Sequence, residues 1–326
     1  MNKLLFTVFL VLLNTLANAQ TKHIISYPDG KTHIEYFTKN GLLYGIYTSY
    51  YENGQKKAEG KYLDNQRKGN WKGWDPKGNK RTERVYENTF DYKTTAVWDS
   101  TGNKCKTRHT ANLKYSTVDP AFGYVPYYPV TEKEVVWSKR LWRELTNDSL
   151  INKPLFDENQ LYLMLLDAIR TKEITAYGDD EFQIVLTFDS IKEYENSIVN
   201  VYRIKEDLFY NKTLNLSEYR TIIIGPAIKK SGKTKILFWL YYPEIRGWLA
   251  KHKPEAKINN NISNYESIFF NRYFHSFIYK ESNVWDREIK DYTKGKEIFK
   301  EAERIEMMAI DHEFDYWYKY IVCRKK

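Results

Sequence analysis

Residues 45–62, GIYTSYYENGQKKAEGKY, and residues 69–86, GNWKGWDPKGNKRTERVY, are two versions of one unit set 24 positions apart. Gly30, Gly54, Gly78 and Gly102 keep the same interval. So do Tyr50, Trp74 and Trp98; Gly45 and Gly69; Tyr47 and Trp71; and Glu35, Glu59 and Glu83. A fixed period of this length marks a stacked repeat architecture. Each unit reads as two short strands. Segments such as Ile46–Tyr51 are rich in β-formers, and Glu52-Asn53-Gly54-Gln55 supplies an Asn-Gly hairpin signal. Glycine belongs where such a turn demands φ > 0. One unit cannot bury its apolar face alone, so the periodic aromatic is expected to pack on its equivalent in the next.

Working outward, the first nineteen residues read as a targeting segment. Lys3 gives a positive n-region, Leu4–Leu16 an apolar h-region, and Ala17-Asn18-Ala19 a small-x-small cleavage site that leaves Gln20 first. The h-region is too short for a stable span. The later apolar runs, Thr221–Ile228 and Ile236–Tyr242, are interrupted or ended by Gly225, Pro226 and Pro243, so no direct membrane span is expected. The expected protein is exported. Residues 20–117 form the repeat module. Pro120, Gly123 and Pro126 mark residues 118–128 as a semi-rigid linker. Residues 129–326 form a second domain.

Charge separates the two halves. Residues 20–128 hold 18 Lys and Arg against 11 Asp and Glu, an excess of +7, whereas residues 129–326 hold 32 against 31. A basic surface on an exported protein points to anionic headgroups, polysaccharide or an acidic partner, with a solvated face as the plain alternative. Export argues against nucleic acid. Cys105 and Cys323 would have to bridge two separate domains, so they read as isolated thiols.

The quoted units resemble MORN-type repeats, most closely in the two central copies. That resemblance implies an all-β hairpin array and names no ligand. A rigid spacer or adaptor is the plain reading, ahead of protein binding and of lipid or glycan binding.

The second domain reads as α+β, with helices flanking a small antiparallel sheet. Thr131-Glu132-Lys133-Glu134 is a capping box, and the helix expected behind it carries Trp137, Leu141 and Leu145 on one stripe. Trp142 lies beside that stripe, and Lys139, Arg140 and Arg143 fall on the other side. A second helix follows Asp157, burying Leu161, Leu165, Leu166 and Ile169. Ile198–Tyr210, Tyr219–Ile228 and Lys235–Tyr242 read as strands, the last ended by Pro243. Tyr265–Tyr279 and Lys296–Tyr320 read as helices, the latter with Phe299, Ala302, Ile305, Ala309 and Tyr316 in register.

Little here looks like chemistry. Residues 227–234, AIKKSGKT, fit a loose phosphate-loop pattern with Ala227 replacing the first glycine. A strand follows them, whereas a phosphate loop needs a helix there, so they read as a hairpin turn with exposed Lys229, Lys230 and Lys233. His312 has no second ligand four residues away, and His252 and His275 stand alone. No Ser sits in a nucleophile elbow. No catalytic, cofactor or metal residue is assigned. Asp148-Ser149-Leu150 and Asp189-Ser190-Ile191 resemble the short O-glycosylation motif of Bacteroidota.

Four strings carry a second resemblance. They are WSKRLWRELTNDSLINKPLF (137–156), IKEDLFYNKTLNLSEYRTIIIGPA (204–227), LFWLYYPEIR (237–246) and FFNRYFHSFIYKESNVWDREIKDY (269–292). Together they resemble the GldN/PorN family, the periplasmic ring subunit of type IX secretion and gliding machinery, over residues 129–326. The resemblance implies a non-enzymatic assembly subunit that forms a homo-oligomeric ring and joins a GldK/PorK-like outer-membrane lipoprotein. Trp137, Trp142, Phe274, Tyr279 and Trp285 are the expected interface residues, because aromatics dominate interface energetics. The typical ring subunit lacks the repeats. The alternative is an exported binding or adaptor protein whose repeats recognise an envelope ligand outside that ring.

Overall fold

The computed structural model describes residues 20–105, 117–256 and 262–320. The expected targeting segment and Cys323 lie outside them. The chain divides into two compact units, residues 1–113 with 321–326, and residues 114–320.

The first unit is an eight-stranded antiparallel sheet: β1 (Thr21–Ser26), β2 (Thr32–Lys39), β3 (Leu42–Leu43), β4 (Gly45–Tyr50), β5 (Lys56–Leu63), β6 (Gln66–Trp74), β7 (Lys80–Asn88) and β8 (Asp91–Val97). The strands follow one another in sequence order, with β3 pairing β2 to one side. Each repeat therefore adds two adjacent strands. The four turn glycines share one conformation, with φ from +82° to +85°. Their turns also share hydrogen bonds, as in Gly54 N–H to Tyr51 O at 2.8 Å and Gly78 N–H to Asp75 O at 2.9 Å. Asn53 is not left-handed, so the turn places its single positive φ on the glycine. The hairpins at the opposite end use left-handed pairs, Asn40-Gly41 and Asp64-Asn65. That pair also recurs at the 24-residue interval.

One face of this sheet buries its aromatics. Trp71 packs 5.8 Å from Tyr47, 5.1 Å from Tyr62 and 6.2 Å from Tyr86 between ring centroids. Such pairs contribute about 0.5–1.5 kcal/mol each beyond area burial. Gly60 makes this possible, since a Cβ there would stand 2.0–2.5 Å from indole atoms of Trp71. Across the strands runs a second ladder. Tyr50 pairs with Lys56, Trp74 with Lys80 and Trp98 with Lys104. Lys56 and Lys80 each lie over the tryptophan of the following repeat, at 5.5 and 5.1 Å. The same lysines pair with Glu59 and Glu83 at 2.5 and 2.8 Å, which accounts for the glutamate column.

The second unit is built on a six-stranded antiparallel sheet of order β14-β13-β12-β9-β16, with β15 pairing β13. Its strands are β9 (Val135–Thr146), β12 (Val201–Asn211), β13 (Leu216–Lys230), β14 (Lys233–Ile236), β15 (Leu240–Tyr241) and β16 (Phe277–Glu281), and a separate hairpin pairs β10 (Ala176–Tyr177) with β11 (Val185–Leu186). The helices are α1 (Lys153–Phe156), α2 (Gln160–Arg170), α3 (Phe188–Ile191), α4 (Tyr242–Lys251), α5 (Tyr265–Phe270) and α6 (Glu297–His312).

Several sequence expectations are corrected here. The stripe Trp137, Leu141, Leu145 lies on strand β9, not on a helix. A spacing of four satisfies a period of 2 as well as one of 3.6, so the stripe alone could not decide. The capping box is present, but it closes only the short 3-10 turn Glu132–Glu134. The expected helix Tyr265–Tyr279 stops at Phe270, and its end belongs to edge strand β16. Strand 235–242 is broken into β14 and β15, and Pro243 opens α4 rather than merely ending a strand. Phe299 is 61% exposed instead of in the buried register of α6. Cys105 is disulfide-bonded and not a free thiol; Cys323 is the sequence's only other cysteine.

Two cores share one sheet face. Leu145, Tyr202, Ile204 and Ile224 pack with α2, α4 and α5, while Leu141, Leu208 and Ile278 pack with Ala302, Ile305 and Ala309 of α6. Residues 227–234 form a β13–β14 hairpin whose tip, Ser231-Gly232, is left-handed at both positions.

Candidate interaction surface

Strand β9 organises the second unit's polar architecture. Alternation puts Arg143 on the face of Leu141 and Leu145, so it is buried (0% exposed) and not a solvated helix residue. Its guanidinium donates to Glu206 and, at 2.9 Å, to Glu306, while Arg272 reaches the other Glu206 oxygen at 2.6 Å. Burial alone would raise the Glu206 pKa, but Arg272 and Arg143 outweigh it and hold the carboxyl below its ordinary value. This charged cluster lies between the two apolar clusters along the strand. It is structural.

The opposite sheet face is a lattice of charges. Glu144 accepts from Arg203 at 2.7 Å, Lys229 at 2.6 Å and the Thr234 hydroxyl at 3.0 Å. Arg140 makes a bidentate pair with Asp207 at 2.7 and 2.9 Å, and Lys205 pairs with Asp180 at 3.0 Å. Back on the face of Leu141, Lys139 pairs with Glu281 at 2.6 Å. These pairs satisfy one another and aim no free group at a substrate. Among the described residues, no group of three or more His, Cys, Asp or Glu side chains could hold a metal. No helix among them is long and apolar enough to cross a membrane.

The five expected interface aromatics part company. Phe274 is 3% exposed and packs in the larger core beside Phe269, so it is corrected from contact residue to core residue. Trp137 is half-buried against the smaller core, 4.7 Å from the His312 ring. Trp142 is half-buried under Lys280 at 4.7 Å, and Tyr279 under Arg203 at 4.2 Å. Burial pushes the Tyr279 hydroxyl pKa well up, keeping it neutral.

Trp285 alone projects, 69% exposed beside Val284 at 88%. The turn presenting them is built by Asn283. Its side-chain amide donates to Glu281 O and Arg287 O, both at 2.8 Å, and its carbonyl accepts from Trp285 N–H at 3.1 Å and Arg287 N–H at 3.0 Å. Four bonds from one side chain fix the loop before anything binds, which lowers the entropy cost of contact. Arg287 lies 4.5 Å over Trp285 and 5.3 Å over Tyr292. Tryptophan, arginine and tyrosine in one exposed cluster is the composition of interface hot spots.

Sequence reasoning named Trp285 but missed Asn283, although an asparagine opening a polar turn is a readable Asx signal. It also missed Arg246 in YPEIR. That residue donates to Val125 O and Glu266, both at 2.6 Å, and stacks on Tyr124 and Tyr127 at 4.1 and 4.2 Å. The segment read as a linker is thereby strapped to α4.

A family model described as gliding motility associated protein GldN matches residues 130–318. No curated protein matches the chain. The matched span contains β9, the Asn283 turn and both cores.

Proposed function

This chain belongs to the GldN family of gliding motility associated proteins, and on that premise we propose that it is a non-enzymatic structural subunit of an envelope assembly for type IX secretion and gliding. The observation that carries this reading is the rigid, outward-facing Val284-Trp285 turn, in a domain whose buried charges are consumed by internal pairs. The partner proposed for that turn is a GldK/PorK-like outer-membrane lipoprotein, with further copies of this chain completing a ring in the periplasm. Trp142 under Lys280 and Tyr279 under Arg203 are proposed as secondary contacts, and Trp137 anchors β9 to the smaller core.

The first unit is proposed as a MORN-like array serving as a spacer or adaptor. A second reading, in which the repeats themselves hold an anionic envelope ligand, is favoured by the +7 excess of charge over residues 20–128.

Affinity recovery of the tagged chain from detergent-solubilised envelope tests the first reading. Stoichiometric co-recovery of an outer-membrane lipoprotein is the expected result. Recovery of a different partner, lost when residues 20–117 are deleted, would transfer the function to the repeats.

A further inference from the structure

We propose that the N-terminal half of β9 is a docking edge, completed by an extended strand of a partner protein that adds to this sheet beside Ser138. Strand β9 pairs with β12 along one side, with a bulge at Val136 that confines the regular free edge to Trp137 onward, and on the other side β16 covers only Leu141–Glu144. One bond continues that ladder, from Ser282 N–H to Arg140 O at 2.8 Å, with Arg140 N–H donating to the Ser282 hydroxyl at 3.3 Å. Main-chain groups alternate in direction along an antiparallel strand. Arg140 therefore points away from β12, and so does Ser138 two residues earlier. Ser138 is exposed, and among the described residues no strand pairs with that side of it.

Proteins guard such edges with charges, prolines or bulges. The two charges here do not serve as guards, because Lys139 is held by Glu281 and Arg140 by Asp207. The site also specifies a side chain. A notch of about 370 Å³ opens beside the edge, lined by Ser138, Lys139, Arg140, Trp142, Asp207 and Ser282. Its walls are an indole, a guanidinium and an ammonium each already neutralised by a carboxylate, and two hydroxyls. That lining suits an aromatic residue stacking on Arg140 more than a charged one. The added strand is thus recognised through its main chain and through one aromatic side chain, as in other strand-addition complexes.

The inference rests on the assembly reading above, and amide hydrogen exchange separates the two. The probe is the tagged full chain, measured alone and within the assembly extracted from the envelope. Alone, the Ser138 amide exchanges fast while Leu141 is protected. In the assembly, Ser138 is expected to slow by about 100-fold or more, as for an amide entering a stable ladder. An assembly that forms with Ser138 unchanged overturns strand addition and leaves the assembly reading intact. If nothing co-purifies, both fail. Protection that appears in the isolated chain and grows with its concentration would assign the edge to a second copy, against the proposal. Ser138→Pro removes only an outward N–H, so its thermal midpoint should hold while partner recovery falls by about tenfold. A Ser138→Pro chain that folds and assembles like wild type contradicts the docking edge.

Discussion

The two units solve the same problem, how to cover a β-sheet, by opposite means. The first repeats one small solution. Every 24 residues it spends a glycine at positive φ, stacks an aromatic on its neighbour and lays a lysine over the next tryptophan. Its contacts are mostly between adjacent hairpins. The second unit joins residues far apart in sequence. Arg143 meets Glu206 and Glu306, Glu144 meets Lys229, and Asn283 pins a turn beside β9. Local periodic solutions tolerate variation at any single repeat. A shared buried network does not, because removing one charge strands the others.

The difference should appear most strongly at Glu206. Glu206→Gln leaves Arg143 and Arg272 with Glu306 as their remaining acid in the cluster, and should cost about 3 kcal/mol in urea unfolding at neutral pH. The pH dependence follows from the lowered pKa of Glu206, and of Glu144 where Lys229 and Arg203 outweigh burial. A depressed carboxyl stabilises the fold above its unfolded value, about 4.3, and loses that contribution as pH falls through the folded value. The gap between wild type and Glu206→Gln should therefore close below about pH 4. A gap independent of pH would mean that the pair is not an ionised one. Glu218 and Glu266, raised by burial against Arg220 and Arg246, act in the opposite sense and blunt the acid transition.

In the first unit the largest effect is expected at Gly60. Gly60→Ala drives a methyl into Trp71 and should cost about 2 kcal/mol, within the range for overpacked cores. Near-UV circular dichroism should lose tryptophan signal, and an unchanged spectrum would place Trp71 elsewhere. Gly54→Ala, at φ +82°, should cost about 1–2 kcal/mol through backbone strain alone. Smallest is Lys56→Ala, below about 1 kcal/mol, since the Lys56–Glu59 pair is more than a third exposed and screened. A loss there as large as at Gly60 would make the cation ladder, and not the aromatic stack, the repeat's main support.

The same contrast decides what could be read from the sequence. The repeats were legible because each turn imposes one residue type at one interval, and strand order then follows chain order. The second pair of left-handed turns, at 40–41 and 64–65, carried the same interval less visibly because asparagine and aspartate share the job with glycine. In the other unit the middle strands and the helix after Asp157 were legible from composition. Strand β9 was not, since Trp137, Leu141 and Leu145 fit either period, and Arg143 looked solvated only under the helical one. Its partners lie 63 and 163 residues away, which no local pattern reports. At the candidate surface, Trp285 and Phe274 were both expected at an interface, and the fold exposes Trp285 and buries Phe274. Both are aromatics among charged neighbours, and only the fold shows that α5 carries the chain inward before β16 brings it back to the edge. The disulfide at Cys105 was missed because two cysteines 218 residues apart carry no spacing that reports a pairing.

The central claim is that a preorganised turn makes this chain an assembly subunit, and Trp285→Ala tests it most directly. The tagged full chain and its variant would be recovered from detergent-solubilised envelope and the co-purifying lipoprotein quantified. At 69% exposure the substitution should shift stability by less than about 0.5 kcal/mol. Partner recovery should nonetheless fall by about 30-fold, the loss of a hot spot worth about 2 kcal/mol. A variant that folds normally and recovers the lipoprotein undiminished would contradict the account.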